Sequence, residues 1–196
     1  KNNRSHLQHV QCIGGAGAAC LTKAGLIILA GKSKVIATMK VPNEYSVVLG
    51  IPNNFNPLDS ETLMKKEIRN LDKFIATGKQ YAPKVAYELV HKTLPAIREN
   101  DLKAVSEVIY NYRFKYGSIK NCSFVYPEMV NIAQKISPLF KKRTVLTLSL
   151  SSVGPAFFAV VTNPSECVEK FSQAGLKVLI TKVHNSGYKV LKRKYA

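Results

Sequence analysis

The chain has 196 residues, 46% of them hydrophobic, so it can bury a sizeable core and is not a disordered polymer. Twenty-nine lysines and arginines against 12 aspartates and glutamates give a formal net charge of +17, which speaks to anionic ligands and not to fold. No apolar run approaches the roughly 20 residues of a membrane-spanning helix, and the opening KNNRSHLQHV lacks the apolar stretch of a signal peptide, so a cytoplasmic protein is expected.

Because the first residue is Lys1 and not Met, the expectation is either a removed tag or a piece of something longer. Cys12, Cys20, Cys122 and Cys167 form no CxxC pair and no disulfide-dense pattern, which argues against a zinc site or a secreted scaffold. His6 and His9 have helical ligand spacing but stand in a polar terminal segment, where solvation explains them better than a metal. The basic residues are spread out, with tight clusters only at Lys141–Arg143 and Lys192–Lys194, and aromatic interleaving of the ribonucleoprotein type is missing. Nucleic acid is therefore not expected as the main partner.

In chain order, Ala16–Ala30 reads as two strands about a turn at Thr22-Lys23, followed by strands over Lys34–Met39 and Tyr45–Ile51, the last ended by Pro52-Asn53-Asn54. The middle reads as helices. Asp59 or Ser60 caps a helix through Phe74 that Gly78 stops, and further helices cover Ala82–Leu94, Asp101–Tyr116 (ended by Gly117) and Pro127–Phe140. Strands follow at Arg143–Leu148 and Ala156–Thr162. Asn163, Pro164 and Glu166 then announce a helix through Gln173 with a capping box, ended by Gly175, and Lys177–Val183 and Gly187–Leu191 close the series as strands. This order predicts an α+β fold with a ferredoxin-like, split βαβ layout.

Between the strands around residues 148 and 156 lies Ser151-Ser152-Val153-Gly154-Pro155, a polar, glycine-containing turn. Its exposed backbone N–H groups and hydroxyls make it the best candidate anion site, with Ser151, Ser152 and the N–H of Gly154 as donors. An ordinary hairpin in which Gly154-Pro155 serves only the bend accounts for the same composition.

Several segments in order resemble the beta-ribofuranosylaminobenzene 5'-phosphate synthase family of the GHMP (galactokinase, homoserine, mevalonate and phosphomevalonate kinase) superfamily. They are the small-residue stretch Gly15–Gly31, Tyr45–Pro52, Ser60-Glu61-Thr62, Leu94-Pro95-Ala96-Ile97 with Asn100-Asp101-Leu102, and the serine turn itself. The resemblance covers the chain from about Gly15 onward and implies a GHMP-type carboxy-terminal domain at 44–196, preceded by a β segment at 1–43 that belongs to an incomplete amino-terminal domain. The superfamily's main phosphate loop has no counterpart here, since Gly14–Gly17 precedes a strand and not a helix. Thr22 and Leu29 stand where the family carries acids.

What the family does implies a transferase of tetrahydromethanopterin biosynthesis, of archaeal type. It would condense phosphoribosyl pyrophosphate with 4-aminobenzoate or 4-hydroxybenzoate and release CO2 and pyrophosphate, with Mg2+ on the pyrophosphate. Ser151, Ser152, Gly154, Lys23 and Arg143, or Lys142 in its place, would meet phosphate, and Glu61 and Asp101 are the acids at family positions. As first-turn residues, those acids have an equally good explanation in helix capping and the helix dipole. The metal ligands are not identified. The alternatives are an ATP-dependent GHMP small-molecule kinase and a non-catalytic partner subunit. The expected partners are a phosphorylated small molecule and a second polypeptide segment carrying the missing amino-terminal half, with a homodimer also compatible and no membrane.

Overall fold

The computed structural model describes residues 25–29 and 34–187. The turn at Thr22-Lys23 and the strand expected at Gly187–Leu191 lie outside the described residues, apart from Gly187. The described residues fall into two compact units: a larger one, Asn43–Lys182, and a smaller one in which 25–29 and 34–42 are joined by 183–187.

In the smaller unit, strand β1 (Leu26–Leu29) pairs antiparallel with β2 (Val35–Met39), Leu26 opposite Met39. Gly25 has φ +82°, and a Cβ there would run into the Met39 carbonyl oxygen, so only glycine fits. Its N–H donates to the His184 carbonyl at 3.1 Å. Asn185 ties the unit together from the side: its amide donates to the Val41 carbonyl at 2.6 Å, and its Oδ1 accepts from the Val41 N–H at 3.2 Å.

The larger unit is built on a four-stranded antiparallel sheet of β3 (Ser46–Pro52), β4 (Val145–Leu150), β5 (Phe157–Val161) and β6 (Leu176–Lys182), in the order β4-β5-β3-β6. Two central strands flanked by the strands that follow each crossover are the split βαβ arrangement expected from the element order. Alternation puts Val48, Leu148, Leu150, Phe157, Ala159 and Val161 on one face. There they form the core with Met129, Ile132 and Ile136 from helix α6 (Met129–Ile136) and Cys167 and Phe171 from helix α7 (Ser165–Gln173).

The long crossover from β3 to β4 is helical throughout. Helix α1 (Ser60–Arg69) is capped by Asp59, whose Oδ1 accepts the Thr62 N–H at 2.9 Å. Helix α2 (Leu71–Glu88) then passes through both Gly78 and Pro83, so the break expected at Gly78 does not occur. Tertiary contacts override it: Phe74 packs edge-on against Phe124 at 6.2 Å and Tyr81 stacks on Tyr116 at 5.1 Å, holding the helix on both sides of the glycine. A π-helical turn (Leu89–Thr93) joins α2 to α3 (Leu94–Glu99). Helix α4 (Leu102–Tyr110), capped by Asp101, runs into a second π turn (Asn111–Lys115) that ends at Gly117, φ +79°, as expected for a C-terminal glycine. After α5 (Ser118–Cys122), α6 and a 3-10 turn (Ser137–Lys141) lead into β4.

Helix α7 begins one residue later than expected. Pro164 occupies the cap position, Asn163 Oδ1 accepts the Ser165 N–H at 3.0 Å, and Glu166 forms no capping box because it pairs with Lys142 at 2.8 Å.

A buried polar cluster joins the two π turns. Glu88 is 4% exposed, its Oε1 accepts from the Asn111 amide at 3.2 Å and faces Lys92 at 3.5 Å, and its carbonyl accepts the Thr93 hydroxyl at 3.2 Å. Among the described residues its Oε2 has no hydrogen-bond partner. Burial, and after it Glu88, pushes the neighbouring Tyr116 phenol up to about 12. Burial, and after it Glu166, does the same to the Cys167 thiol.

Two predictions follow from this packing. A Cβ on Gly50 would lie 2.5 Å from Phe171 and 2.7 Å from Leu176, so Gly50→Ala should cost about 1–3 kcal/mol, read as a lower urea midpoint with an unchanged slope. Tyr116 and Cys167 hold their protons more tightly folded than unfolded. Above the ordinary thiol value of 9.0, therefore, the unfolded chain sheds protons that the folded chain keeps, and stability falls as pH rises towards 12. Denaturation midpoints taken up that range should fall, less steeply in Cys167→Val, and the native Cys167 thiol should resist alkylation until the chain unfolds.

Candidate functional site

The serine turn spans the six residues between Leu150 of β4 and Phe157 of β5. Two internal bonds close it: the Ser151 N–H donates to the Ala156 carbonyl and the Gly154 N–H to the Ser151 carbonyl, both at 2.8 Å. The Gly154 N–H is thus used inside the turn and does not face a ligand. Beneath the turn, Pro155 is buried, Val153 packs on the core, and Gly154 (φ +94°) lies so close to Met129 and Leu150 that a Cβ would meet them at 3.1–3.2 Å. The Gly154-Pro155 peptide is cis.

The hydroxyls of Ser151 and Ser152 and the N–H groups of Ser152 and Val153 remain. Among the described residues, neither of those two N–H groups is paired. Ser151 and Ser152 are exposed, and Ser152 is left-handed at φ +49°. Successive free N–H groups beside a left-handed residue form the kind of backbone concavity that takes an anion. The donors are accordingly shifted from those read in the sequence, towards Ser152 and Val153.

Arg143 is not brought to this turn. It precedes β4 while the turn follows it, and the six strand residues Val145–Leu150 hold the two about 20 Å apart. Lys142 is engaged by Glu166 at 2.8 Å. Glu61 stands exposed in the first turn of α1, paired with Lys65 at 2.6 Å, and Asp101 caps α4 by accepting the Ala104 N–H at 3.0 Å. Both acids do the work of helix starts. Lys23 and Thr22 lie outside the described residues, and Leu29 is an apolar strand residue opposite Val35.

The donor set around the turn does not fit a protein-held Mg2+. It consists of hydroxyls and N–H groups with no carboxylate, and among the described residues no group of three His, Cys, Asp or Glu could hold a metal. Nor, among the described residues, is any helix long and apolar enough to cross a membrane.

The sequence reading missed two polar features. Ser106 of α4 and Thr147 of β4 share a buried hydrogen bond of 2.6 Å that fixes the helix on the strand. Glu88 lies in the stretch KVAYELVHK, where nothing in the local pattern distinguishes it from a solvent-facing helical acid.

No family model matches the sequence, and no curated protein matches it. Among solved structures the chain is similar to homoserine kinase from Cytophaga hutchinsonii, with a TM-score of 0.52 and 16% identity over 89% of this chain and 53% of that one. It is similar to mevalonate pyrophosphate decarboxylase from Streptococcus pyogenes, with a TM-score of 0.50 and 13% identity over 80% of this chain and 50% of that one. A putative homoserine kinase from Listeria monocytogenes aligns with a TM-score of 0.48 and 15% identity over 90% of this chain and 55% of that one. The chain spans about half the length of these proteins. At such identities the likeness concerns the fold alone, and it agrees with the α+β architecture expected from the order of elements.

Proposed function

We propose that the chain is the GHMP-type portion of a transferase acting on a phosphorylated small molecule, with phosphoribosyl pyrophosphate-dependent synthesis of a ribofuranosylaminobenzene phosphate as its reaction. The observation that carries this reading is the serine turn: exposed hydroxyls and free N–H groups at Ser151–Val153 sit on a rigid, core-anchored hairpin of a GHMP-type fold. Such donors suit the charge that develops on a departing pyrophosphate, because they are already oriented and need no rearrangement as the bond breaks. Attack of the aromatic ring carbon on the anomeric carbon would expel pyrophosphate, and loss of the carboxylate as CO2 would restore the aromatic ring. A second polypeptide segment would supply the main phosphate loop, and Mg2+ would ride on the pyrophosphate oxygens and water.

The similarity to a homoserine kinase favours a second reading, an ATP-dependent small-molecule kinase.

The test is an assay of the complete reading frame with its upstream neighbour. Phosphoribosyl pyrophosphate plus 4-aminobenzoate or 4-hydroxybenzoate should release CO2 and pyrophosphate in equal amounts without ATP. ADP formed from ATP with a small alcohol substrate would install the kinase reading instead, and neither product would leave a non-catalytic partner. Ser152→Ala is expected to weaken phosphoribosyl pyrophosphate binding about ten- to a hundredfold with an unchanged melting temperature, the size of one lost hydrogen bond to a charged group. Gly154→Ala tests the fold and not the ligand, because its left-handed backbone and the nearby Met129 both oppose a side chain.

A further inference from the structure

The described structure gathers basic residues that are scattered in the sequence. Around the start of β4, a cavity of about 350 Å3 is lined by Lys103, Lys141, Lys142 and Arg143, with Tyr45 and Phe140 and a single acid, Glu107. It shares Glu107, Phe140 and Lys141 with a second cavity of about 310 Å3, to which Tyr110 and Lys115 also contribute. Tyr110 and Lys115 in turn border a third, of about 240 Å3, that adds Arg113 and Lys120. The three adjoin through these shared residues within the larger unit and together make up a basic groove.

Seven cationic side chains border that groove against one carboxylate. Lys142 is offset by Glu166. Among the described residues, Lys103, Lys120, Lys141 and Arg143 have no acidic partner within ion-pair distance. Beneath the cations runs a column of rings: Phe140 lies on Tyr110 with centroids 4.1 Å apart and planes 4° from parallel, and Tyr110 lies on Phe114 at 4.5 Å and 13°. The Lys115 ammonium lies 5.9 Å from the centroid of Tyr110, the middle ring. Rigid rings beside a basic track are what a nucleic acid strand needs, since bases stack and phosphates follow the charge. A mononucleotide needs only one of the three basins.

We propose that this groove binds single-stranded nucleic acid without strict sequence preference. The inference is independent of the serine turn and of the reaction assigned to it. It reverses the expectation from the linear sequence, where nothing linked residues 103, 113, 115 and 120 to the cluster at 141–143.

Fluorescence anisotropy with a labelled short single-stranded oligonucleotide, at stepped salt and with the full chain, provides the test. Lys141→Glu with Arg143→Glu should weaken binding more than tenfold and make the salt slope shallower by roughly 1.4, about 0.7 for each lost phosphate contact. Phe140→Leu, which keeps the core apolar, should weaken it about tenfold through lost stacking with little change in slope. The matched control is Lys65→Glu with Lys170→Glu, the same charge change on exposed faces of α1 and α7, and it should leave affinity within about twofold of the parent at moderate salt. Equal weakening by the control pair would show diffuse attraction and overturn the proposal. So would tighter binding of duplex than of single strand, affinity for a mononucleotide equal to that for the oligonucleotide, or no binding. Circular dichroism of each variant separates loss of the site from loss of the fold.

Discussion

The larger unit depends on how closely α7 approaches the sheet. Phe171 is fully buried and its ring lies directly on the backbone of β3 at Gly50, where even one methyl group would collide with it and with Leu176. That contact fixes α7 over the centre of the sheet, because β3 is a middle strand flanked by β5 and β6. It also orders the layer beside it. Cys167, on the same buried stripe of α7, meets the core face made by Val48, Ala159 and Leu148, and α6 fills the rest with Met129, Ile132 and Ile136. Burying an aromatic ring of this size contributes about 2–3 kcal/mol, so one glycine on a central strand governs a large share of the unit's stability.

The strands and helix starts were legible in the sequence because their signals are local. Asp59 and Asp101 cap as their spacing suggests, Gly117 and Gly175 end helical stretches with positive φ, and the apolar runs at 46–52, 145–150 and 157–161 are the strands. What the sequence hid is set by contacts across tens of residues. Gly78 and Pro83 are punctuation in a linear reading, yet Phe74 and Tyr81 each find a ring more than 30 residues away, and the helix continues between them. Glu88 is the clearest case. Its burial follows from the meeting of two π turns, and π turns have no sequence signature.

For the serine turn, composition located an exposed polar hairpin but not which of its N–H groups the turn itself would use. Ser, Gly and Pro do make a hairpin with exposed hydroxyls, but turn closure draws on the same N–H groups that anion binding would use. In this hairpin the Ser151 and Gly154 N–H groups go to carbonyls and those of Ser152 and Val153 stay free. A backbone donor counts towards a site only after the turn's own bonds have been assigned. The same bookkeeping removes Arg143, which strand length alone separates from the turn.

That separation puts the proposed anion turn and the proposed nucleic acid groove at opposite ends of one strand. β4 is an edge strand with the serine turn after its last residue and the basic groove around its first. Its middle is held by the buried Ser106–Thr147 hydrogen bond, which pins α4 to the strand and so positions Lys103 and Glu107 against Arg143. The acids elsewhere on the chain are largely occupied at helix ends: Asp59 and Asp101 cap, Glu61 pairs within its own turn, and Glu166 takes Lys142. With 12 acids against 29 bases and several of those acids engaged locally, the groove around the ends of α4, the second π turn and the 3-10 turn before β4 is left with one carboxylate, Glu107, among its cations.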